Sequence, residues 1–185
     1  MRLFAAVVPP EEALDEVERA VAPYVGQVPG LRWAGRPTWH ITLAFYGEVP
    51  ERALPDLETR LARAAHRHTV LDLALAGAGA FSSARRARVL WAGVAGDPLT
   101  RLADSARAAG RRAGAVQTDE KRFHPHLTLA RARTDTDLRE LVESLAAFAG
   151  TPWRAERLHL FRSHGGPQVR HESLGDWALA PVKQG

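Results

Sequence analysis

The stretch "HITLAFYGEV" at residues 40–49 opens with His-Ile-Thr-Leu, and "HPHLTLARAR" at residues 124–133 contains the matching His-Leu-Thr-Leu. Alternate side chains of a β-strand point to the same face. His40 and Thr42 are therefore expected to share one face, as are His126 and Thr128. The apolar residues between them point the opposite way. The pattern predicts two half-buried strands, each presenting one imidazole and one hydroxyl.

The segments around the two motif strands alternate between strand and helix patterns. This order favours an α+β fold with two pseudo-symmetric lobes, each a largely antiparallel sheet flanked by helices, in a single bilobal domain spanning residues 1–185. One motif strand falls in each half, so the site is expected in a central cleft. Strands are predicted over 2–8, 39–46, 69–77, 87–94, 124–131, 154–162 and 168–179, and helices over 11–25, 51–67, 97–113 and 136–148.

The composition narrows the function classes. The chain of 185 residues has 45% hydrophobic residues and no cysteine. It can therefore bury a core but can form no disulfide, thiolate nucleophile or cysteine-type zinc site. No segment has the length of apolar sequence that spans a bilayer. We expect a cytoplasmic protein. The bias towards arginine is compatible with a phosphate partner, although a GC-rich genome produces the same bias.

Two histidines that face one substrate suit a reaction needing a base and an acid at neutral pH. In-line attack on a phosphodiester is such a reaction. Threonine hydroxyls and an arginine can bind the non-bridging oxygens, where the charge is concentrated. A strained cyclic phosphate is the natural substrate because it needs less help from a metal than an unstrained ester.

Other interpretations of the same residues stay open. One His-x-Thr arises often by chance, although a second copy at the matching strand position is much less expected. His124 and His126 can also be read as two metal ligands, with Asp119 and Glu120 the nearest acidic residues. The arginines of "ARRAR" at 84–88 are either a solvated strand edge or a track for RNA.

At these residues the chain resembles the two-histidine phosphoesterase superfamily, and within it the RNA 2′,3′-cyclic phosphodiesterases, historically named 2′-5′ RNA ligases (LigT-like). The resemblance implies a general acid at His40, a general base at His126, and phosphate-binding hydroxyls at Thr42 and Thr128. It covers nearly the whole chain and includes "RLFAAVVPPE", "HITLAFYGEV", "RVLWAGV", "RFHPHLTLAR" and "LHLFRS…GGP…HESLGDWAL".

The resemblance also implies substrate-binding residues near the cleft. Arg131 matches an arginine beyond the second motif, although strict alternation puts it on the opposite face unless the strand twists, bulges or ends before it. Phe45, Tyr46 and Phe123 match aromatic positions that stack a base. Alternation favours core packing for Phe45 and Phe123, and puts Tyr46 on the face of the first histidine. His171 departs from relatives, which often carry tyrosine there.

The resemblance implies hydrolysis of RNA 2′,3′-cyclic phosphate ends to 2′-phosphomonoesters, with 2′-5′ ligation as a possible reverse reaction. No metal or other cofactor is expected, and the partner is RNA with such ends, bound by a monomer. Two alternatives are a phosphoesterase for a non-RNA cyclic phosphate and an RNA-binding module without turnover. Both motifs being intact argues against the second.

Overall fold

The computed structural model describes residues 1–115 and 121–185, which contain nine strands and four α-helices. Asp119 and Glu120, named above as potential metal neighbours, lie outside the described residues. The strands are β1 Arg2–Val7, β2 Leu31–Trp33, β3 Ile41–Glu48, β4 Leu71–Ser82, β5 Ala87–Gly96, β6 His126–Thr136, β7 Trp153–Ala155, β8 Arg157–His164 and β9 Arg170–Ala178. The helices are α1 Glu11–Val21, α2 Leu54–Arg67, α3 Thr100–Arg112 and α4 Arg139–Leu145.

The strands form one antiparallel sheet in the order β7-β4-β5-β6-β3-β1-β8-β9. The short strand β2 pairs with residues 130–132 of β6, on the edge opposite β5. The motif strands β3 and β6 are neighbours at its centre, and a single residue pair, Ile41 with Leu127, joins them. On either side of that joint the strands pair over long registers. The mixed α+β class with a largely antiparallel sheet is therefore confirmed, and the motif strands meet at the junction of two half-sheets.

The helices divide between the half-sheets. Helices α2 and α3 pack together and contact β3 and β9, whereas α1 and α4 contact β4. Each helix buries one apolar stripe; in α1 it consists of Ala13, Leu14, Val17 and Val21. Because α3 follows β5 in the chain but packs on β3, the two halves are interleaved. No helix within the described residues is long and apolar enough to cross a membrane.

Each motif strand has a register irregularity of one residue immediately after its threonine. Leu43 is skipped where β3 pairs with β1, and Leu129 is skipped where β6 pairs with β5. A bulge of this kind moves every later side chain to the other face. Phe45 therefore lies opposite Phe4, and Arg131 lies on the face of the histidines. The expectation that Phe45 points into the core is wrong, and the bulge that Arg131 requires is present.

Two of the predicted base-stacking aromatics lie elsewhere. A second register shift skips Tyr46, whose side chain is 0% exposed and whose hydroxyl donates to the carbonyl oxygen of Ala106 on α3, at 2.8 Å. Its assignment to the face of the first histidine is wrong, because the bulges invert the alternation. Phe123 packs against the core beneath Arg107 of α3, whose guanidinium carbon is 5.6 Å from the ring centroid. The Tyr46 ring is therefore not available to stack a base, and core contacts leave the Phe123 ring only partly exposed.

The observed elements differ from the sequence expectation in two further places. The short strand β2 was not expected, since only three residues pair with β6. Strand β4 continues through Phe81 to Ser82, where the sequence predicts a loop. Continued pairing with β5 extends it, and it carries Phe81 alongside the second motif strand.

Candidate active site

The His40 imidazole is fixed by backbone and side-chain partners from its own segment. Its Nδ1 lies 2.7 Å from the carbonyl oxygen of Thr38, and its Nε2 lies 2.8 Å from Oγ1 of Thr42. A carbonyl oxygen only accepts hydrogen bonds, so Nδ1 carries the proton and donates. In the neutral ring Nε2 then accepts from the threonine hydroxyl. The reactive nitrogen of His40 is therefore Nε2.

The His126 imidazole has the same backbone contact. Its Nδ1 donates to the carbonyl oxygen of His124, also two residues earlier in the chain, at 2.6 Å. This contact again fixes the tautomer and leaves Nε2 as the proton acceptor. Among residues 1–115 and 121–185, His126 has no counterpart of the hydrogen bond between His40 and Thr42. The hydroxyl of Thr128 and Nε2 of His126 thus both face the cleft without that mutual bond.

The joint between β3 and β6 brings the two motifs together. Ile41 and Leu127 are paired and fully buried, so their chain neighbours point to the opposite face of the sheet. Antiparallel order places His40 beside Thr128 and Thr42 beside His126, about a local two-fold axis through the joint. The positions of all four predicted catalytic residues on one face therefore follow from one residue pair.

Burial, together with nearby charges, lowers the pKa of both imidazoles. Burial lowers the pKa of His40 to about 4, with further lowering by His171, His126 and Arg131. Burial also lowers the pKa of His126, opposed by its bond to His124 O and assisted by the charges of His124 and Arg131. The charge of Arg131 contributes to the lowered pKa of both rings, so it lies near both of them. An anion bound there would face a cation and two imidazoles.

The wall around His40 is closely packed. Its ring stacks on Phe4 with centroids 4.6 Å apart, and His171 meets it edge-on at 5.0 Å. Phe161 lies behind Phe4 at 5.4 Å. Sequence reasoning assigned no role to these side chains, because they come from β1, β8 and β9, which only the folded sheet brings beside β3.

The wall around His126 is more open and is built from other aromatics. The Phe81 ring meets His126 edge-on at 4.9 Å, and Trp91 lies 4.8 Å from His124 and 5.4 Å from Phe81. The indole of Trp91 lies flat over Gly79, where a Cβ would come within 2.2 Å of it. Phe81, Trp91 and His124 are named here the aromatic wall. The resemblance implies base-stacking aromatics near the cleft at Phe45, Tyr46 and Phe123, whereas the rings that the structure places beside His126 are those of the aromatic wall.

Two alternatives from the sequence can be compared with the structure. Within the described residues, no group of three histidine, aspartate or glutamate side chains is placed to hold a metal ion. Of the arginines in residues 84–88, Arg86 and Arg88 both pair with Asp135, at 3.0 and 2.9 Å. These pairs favour the solvated strand edge over a track for RNA at this place.

The comparisons with known proteins agree with this geometry. A family model described as the 2′-5′ RNA ligase superfamily matches residues 6–167. An RNA 2′,3′-cyclic phosphodiesterase of Thermus thermophilus is 34% identical over 91% of this chain and 84% of the relative. One from Geobacillus stearothermophilus is 29% identical over 98% of this chain, which spans 58% of that protein's length.

Solved structures show the same architecture. The crystal structure of TT0787 from Thermus thermophilus superposes with a TM-score of 0.78 at 30% identity, covering 99% of this chain and 100% of that one. The crystal structure of E. coli LigT in its apo form gives a TM-score of 0.77 at 25% identity, with 97% of each chain covered. The predicted resemblance is therefore confirmed on both sequence and fold.

Proposed function

The chain belongs to the 2′-5′ RNA ligase superfamily, and we propose that it hydrolyses RNA 2′,3′-cyclic phosphate ends to 2′-phosphomonoesters. The observation that carries the proposal is the pair of histidines on one face of the sheet joint. Each has Nδ1 bonded to the carbonyl oxygen two residues earlier, and the same arginine acts on both. Relatives that align over most of the chain are named RNA 2′,3′-cyclic phosphodiesterases.

The proposed reaction is an in-line displacement at phosphorus. Nε2 of His126 takes a proton from water as the water oxygen bonds to phosphorus. The bond from phosphorus to O3′ breaks, and Nε2–H of His40 donates its proton to that oxygen. The product keeps its phosphate on O2′. A 5′-hydroxyl in place of water gives a 2′-5′ linkage by the same steps.

The remaining cleft residues bind the substrate in this proposal. The hydroxyls of Thr42 and Thr128 donate to the non-bridging oxygens, and Arg131 opposes the charge that develops there. Phe45 remains a candidate contact on the cleft face, with the guanidinium carbon of Arg2 5.1 Å from its ring centroid. The aromatic wall supplies the base-stacking surface, since its rings adjoin His126.

One chain supplies both histidines, so a monomer suffices for this chemistry. We place the enzyme in the cytoplasm, where a chain without cysteine needs no oxidising environment. The acid, the base and the hydroxyls are all protein groups, so we expect no cofactor to be required. A non-RNA cyclic phosphate remains the alternative substrate, because the motif residues contact the phosphate alone.

The test uses an RNA oligomer that ends in a 2′,3′-cyclic phosphate, incubated with the purified protein in EDTA. We expect a 2′-phosphate product, and a loss of turnover of roughly 10²–10⁴-fold in each of His40→Ala and His126→Ala. His66→Ala is the matched control, because His66 is exposed on α2. Circular dichroism checks that each variant folds.

Three results would contradict the proposal. Full activity in either motif variant would remove the paired acid and base. A 3′-phosphate product would show that O2′ is the leaving group. Inhibition by EDTA that zinc or manganese reverses would establish a metal in the reaction.

A further inference from the structure

Arg32 on β2 faces Arg131 directly across the sheet. The two residues are register partners in the antiparallel pairing of β2 with β6, so their side chains leave the same face. That face is the one that carries His126 and Thr128, because the bulge at Leu129 turns Arg131 towards it. Like charges directly opposite each other destabilise a sheet. The pairing therefore has an electrostatic cost in the free protein that a bound anion would relieve.

A third arginine lies close by on β6. Arg133 is two residues beyond Arg131 on β6 and is exposed, while Ala132 between them pairs with Leu31 on the core side. The register of β6 against β5 is irregular beyond Arg131, so Arg133 is grouped with Arg131 by its nearness on the strand and its exposure. The next acidic residue along the strand, Asp135, already pairs with Arg88 of β5 and with Arg86 immediately before β5. Arg32, Arg131 and Arg133 are named here the arginine track.

The arginine track differs from the other arginines near the first motif. Arg36, four residues after Arg32, contacts the carboxylates of Glu11, Asp15 and Glu18 and is held on α1. Across the two described ranges, no carboxylate is within ion-pair distance of any arginine of the track. Three exposed arginines on neighbouring positions of β2 and β6, without acidic partners and next to the second motif, match a polyanion.

We propose that the arginine track binds the backbone phosphates of single-stranded RNA on the 5′ side of the cyclic end. The inference rests on the proposed function and identifies the substrate class more closely. A cyclic phosphate closes the 3′ terminus, so every other phosphate of the substrate lies on its 5′ side. Arg131 contacts the reacting phosphate, and Arg32 and Arg133 contact those that precede it. The enzyme is therefore built for oligonucleotides rather than for mononucleoside cyclic phosphates.

The experiment compares kcat/KM for an RNA hexamer with a 2′,3′-cyclic end and for cytidine 2′,3′-cyclic phosphate, from 50 to 200 mM NaCl. We expect Arg32→Gln to lower kcat/KM for the hexamer about five- to tenfold and to leave the mononucleotide within about twofold. The salt slope for the hexamer should flatten by about 0.7 per lost phosphate contact. Arg133→Gln should act the same way, and Arg32→Lys should recover part of the loss.

Arg101→Gln is the matched control, because it removes the same charge from an exposed position on α3. If Arg32→Gln lowers kcat/KM equally for both substrates, or leaves kcat/KM unchanged for both, the proposed role of the arginine track is wrong. If the wild-type protein hydrolyses neither substrate, the proposed function fails instead. Fluorescence anisotropy with a labelled RNA hexamer then still decides the track. Weaker binding by Arg32→Gln than by Arg101→Gln would support it, and equal binding would overturn it.

Discussion

The two motif strands are near copies of each other in backbone but not in surroundings. In both, a carbonyl oxygen two residues earlier accepts from Nδ1 of the histidine, and in both the register skips the leucine after the threonine. The bulges return the fifth residue after each histidine to the cleft face. That residue is Phe45 in the first strand and Arg131 in the second. A duplicated backbone thus supplies two imidazoles but a single central cation.

The surroundings differ in how much they bury each imidazole. His40 lies between Phe4, His171 and the hydroxyl of Thr42, whereas His126 borders the more open aromatic wall. The pKa of His40 is accordingly lowered to about 4. The carbonyl oxygen two residues before each histidine, in its own segment, therefore sets the tautomer. Packing against other strands sets how readily the ring is protonated.

This asymmetry has a consequence for the proposed acid. An imidazole with a pKa near 4 is neutral at pH 7, so Nε2 of His40 carries no proton in most free molecules. An anion bound beside it favours the protonated ring and raises the pKa. The acid is therefore charged chiefly when the cyclic phosphate is in place. Protonation in the empty cleft would instead add a second cation beside Arg131.

The burial of His40 is expected to make the fold sensitive to acid. The pKa is about 4 in the folded state and about 6.5 in the unfolded chain, so the unfolded chain binds more protons between those values. Stability then rises with pH across that window and falls as pH drops from 6.5 towards 4. Between pH 7.0 and 4.5 the wild type should lose about 2 kcal/mol more of its unfolding free energy than His40→Gln.

Urea titrations at the two pH values, followed by tryptophan fluorescence, measure this difference. His126→Gln is the matched variant and should recover less, because His126 lies in the more open wall. The other histidines whose pKa is lowered by burial, among them His68 and His159, are common to all three proteins and cancel. Equal acid sensitivity of the wild type and His40→Gln would show that burial does not lower the pKa of His40 as described.

The sequence predicts the central feature of the site because alternation needs only local information. His-x-Thr in a strand determines that imidazole and hydroxyl share a face, and two copies in two halves predict a shared cleft. Both follow from the period of a strand. The bulges do not follow from it, since they depend on the register with β1 and β5. This is why Phe45 and Tyr46 exchange faces relative to the prediction.

Long-range pairing also explains the residues that the sequence does not identify. Phe4 and His171 reach His40 only because β1 and β9 lie in its half-sheet. Arg32 can be placed beside Arg131 only through the pairing of β2 with β6. Patterns within one segment specify a face, but the neighbours on that face come from segments far apart in the chain.

The aromatic wall can be separated from the aromatics that the sequence favoured. Phe81→Ala is expected to raise KM for the cyclic-ended RNA about tenfold, because stacking on an aromatic stabilises a bound base by roughly 1–3 kcal/mol. Phe123→Ala removes a ring of similar size beneath Arg107 and should lower thermal stability without a comparable change in KM. Steady-state kinetics and thermal melts on both variants test this. A larger KM increase in Phe123→Ala than in Phe81→Ala would show that the base stacks on Phe123 and not on the aromatic wall.

The smallest expected difference distinguishes the two threonines. Thr42→Val and Thr128→Val keep the β-branched shape, and each should lower kcat/KM about fivefold through one lost hydrogen bond to the phosphate. Only Thr42 also donates to a histidine in the free protein. That bond favours the neutral ring, so its loss should raise the pKa of His40.

An NMR titration of the histidine Cε1 protons should show this rise in Thr42→Val and no matching change for His126 in Thr128→Val. The acid limb of the kcat/KM profile should shift only in Thr42→Val. Identical titrations in the two variants would mean that the threonine contacts are equivalent. The difference between the two histidines would then rest on burial by Phe4 and His171 alone.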